Sequence, residues 1–355
     1  MLAAASVEAS VMARAFPSGA PVLRCSPLLL HLRHTFTIAR SSEDVAESVL
    51  LELDDGELTG LGECAPSGRY EESPGLVTRQ LLAADFRDVD LFEFDVALGR
   101  LGGEERGAMC ALDIALHDLA GKRLGVPVCR LLGLDPSAAK ETSFTVGIAD
   151  IDTMVAKTKE AAHMPILKVK VGAGNEIETL EALRSVYRGR IRIDANEGWE
   201  PEQAVRLLNE LARFEVEFCE QPVRAGAPER LRFVRERSRI PIMADESCRI
   251  PADIAPLAGC VDGIVIKLVK CGGMREAVAM THIARALGMK IMIGCMIESS
   301  ILATAGAHLT PLVDYADLDG PLLVTDDPYD GVVFDGAQMR LPDAPGLGVA
   351  LRASA

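Results

Sequence analysis

Aromatic residues are scarce in this 355-residue chain, at 4%, with four tyrosines and the single tryptophan Trp199. Binding of single-stranded nucleic acid needs aromatic faces for the bases, and any grip on a phosphate backbone needs surplus positive charge. Here 37 Lys and Arg face 52 Asp and Glu, a formal charge of −15, which sets nucleic acid aside as a partner. No run approaches the ~18 consecutive apolar residues of a spanning helix, which sets aside a membrane. Residues 1–22 lack a basic start and are broken by Glu8, Arg14 and Pro17. They read as a poorly ordered extension rather than a secretory signal. Nine cysteines are scattered without a Cys-x-x-Cys pair, several inside apolar strand-like runs such as those of Cys219 and Cys295. They are expected to be reduced core thiols rather than a disulfide or zinc framework, which points to the cytoplasm. Also absent are a Gly-x-Ser-x-Gly elbow, a Walker loop and a complete Gly-x-Gly-x-x-Gly. None of the six histidines ends a proposed barrel strand.

What is present from residue 143 onward is a regular pulse. Short β-branched runs occur at Ser143–Ile148, Ile166–Val171, Arg190–Asp194, Val216–Glu220, Pro241–Asp245, Gly263–Lys267, Lys290–Cys295 and Val313–Asp319, starting 22 to 27 residues apart. Stretches with helical spacing, such as Glu178–Tyr187, Glu202–Phe214 and Met274–Leu287, lie between them. Eight strands alternating with amphipathic helices predict a parallel (β/α)8 barrel of the TIM type over residues 136–330. Ahead of it, His34–Ile38, Ser48–Leu53 and Leu58–Glu63 look like strands, and helical periodicity runs through Glu104–Leu124. The fold class is therefore α/β: a barrel with an α+β capping domain at 23–135, joined by a tail, 331–355, that returns to it.

In such a barrel the strand ends meet at one mouth, where catalytic groups are drawn from several strands. Strand two ends in Lys168 and Lys170, strand three in Asp194, four in Glu220, five in Asp245 and six in Lys267. Three carboxylates from adjacent strands repel one another in a low-dielectric mouth, and oxygen-only ligands favour Mg2+ over Zn2+ as the neutralising ion. Each acid alone has a plainer role as a helix cap; three at successive strands are better explained by a metal. Lys170 and Lys267, on opposite sides of the barrel, would flank a bound substrate, and burial disfavours the ammonium form that a general base must shed. Asp317 and Asp319 share a face by the two-residue strand period, offering a seat for a second cation or an organic ammonium. Taken alone, that pair is more often a loop or capping feature.

Several strings carry a resemblance: Leu-Lys-Val-Lys-Val-Gly (167–172), Asp-Ala-Asn-Glu-Gly-Trp (194–199), Glu-Gln-Pro (220–222), Ala-Asp-Glu-Ser (244–247), Ile-Lys-Leu-Val-Lys-Cys-Gly-Gly (266–273), Gly-Glu-Cys-Ala-Pro (62–66) and Arg-Tyr-Glu-Glu-Ser (69–73). Together they resemble the enolase superfamily, in its muconate-lactonizing group, from about residue 30 to the end. Tyr-Ala-Asp-Leu-Asp-Gly-Pro (315–321) is similar to the dipeptide epimerases of that group. Lysine bases beside Mg2+ are a known property of this superfamily. The resemblance implies one Mg2+ per subunit on Asp194, Glu220 and Asp245, with Lys170 and Lys267 as the acid/base pair. It implies that Asp317 and Asp319 hold a dipeptide's α-ammonium and that Thr145, Lys168 and Cys295 line the pocket. The implied reaction is a 1,1-proton transfer at the α-carbon of the C-terminal residue of L-Ala-D/L-Glu or a related dipeptide, through an ene-diolate. Arg40 or Arg69 is the candidate partner for a side-chain carboxylate, whereas Glu43, Asp44, Glu71 and Glu72 suit a neutral or cationic dipeptide. A homo-oligomer is expected. Competing readings are N-acylamino acid racemase, o-succinylbenzoate synthase, muconate cycloisomerase and an inactive metal-binding relative.

Overall fold

The computed structural model describes residues 12–14, 21–103 and 105–353. The extension expected at 1–22 lies outside the described residues except for Met12–Arg14 and 21–22; Met12–Arg14 form β1, paired antiparallel with Leu23–Cys25. The capping sheet continues as β2 (Val22–Ile38), β3 (Ser41–Asp54) and β4 (Thr59–Cys64) in meander order. The first two are far longer than the sequence suggests. Pro27 interrupts the alternation of β2, and its buried residues change phase from Leu23 and Cys25 to Leu28 and Leu30. Of the distal part of the β2–β3 hairpin the sequence shows only His34–Ile38 as a strand, since residues 39–44 are exposed and carry no apolar alternation. Between the pairs His31–Val45 and Phe36–Glu43, residues 32–35 bulge against Asp44 alone. Bulges bend and twist a strand, and beyond this one the hairpin reaches the barrel, where the Ile148 amide donates to Thr37 O at 2.8 Å.

The helix Arg106–Leu124 packs on β4. Its approach explains the glycines of Thr-Gly-Leu-Gly: a Cβ at Gly60 or Gly62 would run into the carbonyl oxygens of Ala115 or Ala111. The same helix bolts the cap to the barrel. Asp113 accepts the amides of Met274 (2.5 Å) and Arg275 (3.4 Å), at the N-terminus of helix Met274–Ala286. Glu63, from β4, accepts the amides of Ser299 (3.0 Å) and Leu302 (3.1 Å), at the start of helix Ser300–Leu309. Buried carboxylates at helix N-termini meet donors that have no partner within the helix, and the aligned peptide dipoles favour their charge.

The barrel strands are β5 (Phe144–Val146), β6 (Ile166–Lys170), β7 (Arg190–Asp194), β8 (Val216–Glu220), β9 (Ile242–Ala244), β10 (Gly263–Lys267), β11 (Lys290–Gly294) and β12 (Tyr315–Asp317), neighbours in chain order and parallel. Three match the sequence reading to the residue. β12 is shorter than read, so Asp319 lies off the strand and the two-residue period does not place it. No backbone ladder joins β12 to β5; side chains close that seam instead. Asp319 accepts the Thr145 amide (2.6 Å), Thr142 Oγ1 accepts the Leu318 amide (2.7 Å), and Ser143 donates to Asp317 (2.6 Å). Below the strand ends, Phe218, Met243, Val265 and Met292 fill the interior. The buried Arg192 guanidinium lies 5.1 Å from the rings of Phe218 and Tyr315. The floor is packed rather than open.

Among the described residues no helix is long and apolar enough to cross a membrane. All nine cysteines are free thiols, and only Cys295 is not buried. The tail reaches the cap where Leu347 N donates to Asp118 (2.7 Å), while Leu347 O lies 3.0 Å from His308 Nε2. His308 is fully enclosed with its Nδ1 unpartnered, and burial pushes its pKa down to about 4. An unfolded histidine titrates near 6.5, so between those values the unfolded chain binds the extra proton and stability falls as pH falls. From pH 7 to pH 5 the wild type should lose about 2 kcal/mol more stability than His308→Gln. Urea unfolding at the two pH values measures this, and parallel losses would refute it.

Candidate active site

The barrel mouth gathers acids and lysines in alternation. Asp194 and Glu220 end the adjacent strands β7 and β8, paired in register, and Asp245 is the first residue past β9. All three are buried. Lys170 donates to Asp194 at 2.7 Å and Lys267 to Asp245 at 2.9 Å. Lys168 bridges three acids, lying 2.7 Å from Glu220, 2.8 Å from Asp317 and 3.2 Å from Asp194. Lys270, one turn beyond Lys267, has its ammonium enclosed by Asp245 Oδ1 (2.5 Å) and the carbonyls of Asp245, Cys248 and Val265. Gln221, at φ 33°, accepts the amides of Asp245 and Ser247 and fixes the loop that presents Asp245.

This packing sets the charge states. Burial pushes the Asp194 and Asp245 carboxyls up, but the neighbouring lysines overcome it and hold both below the ordinary range. Glu220 is left on the other side of that balance: burial and then the charge of Asp194 raise it to about 8. Neither of its oxygens accepts a well-directed hydrogen bond, although Lys168 stands close to Oε2. Lys267 is raised, because the attraction of Asp245 and Glu220 exceeds the desolvation that would lower it. It is therefore held as an ammonium, and burial alone does not free its proton in the way that strand-end placement suggests.

The donor set fits a hard divalent cation: three buried carboxylates from consecutive strand ends, one of them short of partners. As they stand, lysines separate these acids, and among the described residues no three His, Cys, Asp or Glu side chains already converge at ligating distance.

Above this floor is a cavity of about 470 Å3. Thr145, Lys168, Lys170, Asp245, Lys267, Cys295, Asp317, Asp319, Arg40 and Arg69 all line it, while Asp194 and Glu220 are not among its lining residues. Asp317 is occupied by Lys168 and Ser143. Asp319 takes the Thr145 amide on Oδ2 and has the Cys295 thiol 3.8 Å from Oδ1; burial and then Asp317 raise it to about 6. Arg40 and Arg69 are both engaged by protein acids. Arg40 lies 2.7 Å from Glu246 and 3.6 Å from Glu197, and Arg69 makes a two-pronged pair with Glu197, at 2.9 Å on each arm. Motif reading missed the apolar wall, Phe36, Ile38, Met296, Ile297 and Leu323, along with Tyr70 and Asn196. Asn196 and Glu246 lay inside strings already quoted, and their place within two residues of Asp194 and Asp245 was the available signal.

Comparison with known proteins gives this architecture a family. Residues 27–133 match the mandelate racemase/muconate lactonizing enzyme N-terminal domain, and residues 151–355 match the enolase C-terminal domain-like family. The chain belongs to the enolase superfamily, in its mandelate racemase/muconate lactonizing enzyme branch. It is an enzyme of the isomerase class, in keeping with relatives named as epimerases. It is 39% identical over 329 residues to an L-Ala-D/L-Glu epimerase of Bacteroides thetaiotaomicron, covering 91% of this chain and 86% of that protein. A substrate-liganded L-Ala-D/L-Glu epimerase from Bacillus subtilis superposes with a TM-score of 0.88 at 27% identity, over 94% of this chain and 99% of that one. A dipeptide epimerase from Enterococcus faecalis, in complex with Mg and L-Leu-L-Tyr, gives 0.87 at 32% identity, over 92% and 98%.

Glu197 is the post to which both cap loops are tied, since it also accepts the Ala225 amide at 2.8 Å. Charge-assisted two-pronged pairs are among the stronger side-chain contacts. Glu197→Ala should therefore speed amide exchange in residues 36–46 and 67–71 by on the order of tenfold, with β7 unaffected. Hydrogen-exchange mass spectrometry reads this, and unchanged protection in both loops would show that the tie holds nothing.

Proposed function

We propose that this enzyme epimerises dipeptides at the α-carbon of the C-terminal residue by a 1,1-proton transfer. The observation that carries the reading is the placement of Lys170 and Lys267. They come from β6 and β10, four strands apart in an eight-stranded ring, and both ammoniums face one cavity. A substrate between them presents opposite faces of its α-carbon to two proton carriers. One lysine, neutral, takes the α-proton; the other, as ammonium, delivers a proton from the far side. Reversal of the two roles serves the other epimer, so no covalent intermediate is required.

Asp319 is the acid best suited to the substrate's α-ammonium. It lines the cavity and has no cationic partner among the described residues, whereas Asp317 is already engaged by Lys168. An N-acylated amino acid has no such ammonium and would leave this buried acid unmatched, which favours the dipeptide over the N-acyl reading. Asp194, Glu220 and Asp245 would hold Mg2+. When bound, the ion would offset the carboxylate charge that raises Lys267 and would supply positive charge that makes the α-proton easier to remove. The cap hairpin and the loop around residues 65–70 keep bulk water from the lysines. The E. faecalis and B. subtilis relatives support the substrate class through the ligands named with them.

Lys170→Ala and Lys267→Ala should each lower the epimerisation rate by about 10^3-fold or more. Each variant should still exchange the α-proton of one epimer in D2O, the two variants serving opposite epimers. Mass spectrometry and chiral chromatography of the products decide this, and epimerisation near the wild-type rate in either variant would end the proposal. Glu220→Gln should weaken Mg2+ binding more than about tenfold in isothermal titration calorimetry. Equal affinity in the two proteins would remove Glu220 from the ligand set.

A further inference from the structure

The cavity contains more cationic side chains than its wall has free positive charge. Lys168, Lys170 and Lys267 are tied to the acids of the floor. Arg40 is held by Glu246 and by the Asn196 carbonyl, and Arg69 by both oxygens of Glu197. No guanidinium remains to receive a carboxylate from a substrate side chain.

On the hairpin side the balance is reversed. Glu43 and Glu47 lie on β3, both line the cavity, and both are exposed. Being four residues apart, they share a face by the strand period. Neither side chain takes part in a hydrogen bond or ion pair among the described residues, although both backbones belong to the β2–β3 ladder. Their neighbours are satisfied elsewhere, since Asp44 accepts from Thr35 and Ser42 bonds Thr37. Asn196 also lines the cavity and is 4% exposed, with an acceptor, Oδ1, that has no donor. The wall thus offers two unneutralised carboxylates and one unfilled acceptor.

Resting on the dipeptide reading above, we infer that Glu43 and Glu47 make this enzyme selective for dipeptides carrying a cationic side chain, lysine or arginine, and against those carrying a carboxylate. The attraction is an exposed one, screened by water and salt, and worth up to about fivefold per acid. Exchanging a cationic for an anionic side chain changes attraction into repulsion at both acids. The kcat/KM for a lysine-containing dipeptide should then exceed that for the glutamate-containing one by about tenfold or more.

The test is deuterium uptake at the α-carbon, by mass spectrometry in D2O with the Mg2+-loaded enzyme. Matched series L-Ala-L-X and L-X-L-Ala, with X as Lys, Arg, Gln, Leu or Glu, are run on the wild type and on E43Q, E47Q and E43R. Selectivity for Lys or Arg in at least one series, lowered about fivefold relative to Gln in E43Q or E47Q and moved towards Glu in E43R, is the expected result. Turnover of the Glu dipeptides equal to or faster than the Lys ones in wild type overturns the inference and leaves the epimerase reading standing. The same holds if a cationic preference survives unchanged in all three variants. Absence of uptake with every dipeptide removes the epimerase reading, and the inference with it. A preference that fades as NaCl is raised from low to molar concentration identifies its origin as charge; a salt-independent preference counts against these two acids.

Discussion

Six carboxylates, Asp194, Glu220, Asp245, Glu246, Asp317 and Asp319, are buried around one barrel mouth, and the fold is arranged so that their charges cancel. Lys168, Lys170, Lys267 and Lys270 are buried among them, with Arg40 reaching in from the cap. Lone charges in such a place would cost several kcal/mol each, and Asp194, Asp245, Glu246 and Asp317 are each held to a lysine or arginine. This explains why the strand ends carry charged side chains instead of the apolar residues of the layer below. The same cancellation is incomplete at Glu220, whose carboxyl is pushed up to about 8. A mouth that is nearly neutral but short by one positive charge is suited to taking up a cation.

The cap domain is held by the same chemistry used differently. Asp113 and Glu63 spend their buried carboxylates on the first amides of two barrel helices, and Asp118 joins β4 to the tail through the amides of Leu61 and Leu347. Each contact makes the cap's core helix or sheet a structural part of the barrel, not a lid resting on it. Beyond that rigid base, the distal hairpin meets the barrel through the Ile148 amide and through Arg40 on Glu246, and the loop at 65–70 through the pair of Arg69 with Glu197.

Much of this was legible along the chain because strand ends recur at a readable interval. β7, β8 and β10 end at Asp194, Glu220 and Lys267 as the pattern implies, and Lys168 and Lys170 follow from the two-residue period of β6. Asp319 was identified although its placement was misread: it lies beyond β12, held by the Thr145 amide across the seam. Contacts between distant segments left no trace in local pattern. Asp113 caps a helix 161 residues away and Glu63 one 236 residues away. Arg40 and Arg69 read as free cations because Glu197 and Glu246 are at least 128 residues from them in sequence. Glu47 sits in a polar hairpin where every second residue looks like surface.

The difference between what can and cannot be read has a mechanical basis. The proposed proton transfer would need two lysines and three acids at fixed distances, and a barrel supplies fixed distances through backbone register, which sequence spacing encodes. Substrate choice needs only the net charge and shape of a wall. Register does not set that wall, because it is made by a bulged hairpin whose residues find partners across the molecule. One substitution on β3 changes the wall's charge without touching a barrel strand, whereas one at Asp194 unbalances Lys168 and Lys170 together. The floor is therefore constrained by its own electrostatics to stay as it is, and the wall is free to vary. On the dipeptide reading proposed above, reaction type follows from the barrel, and specificity from the few hairpin side chains that no acid or base of the protein has claimed.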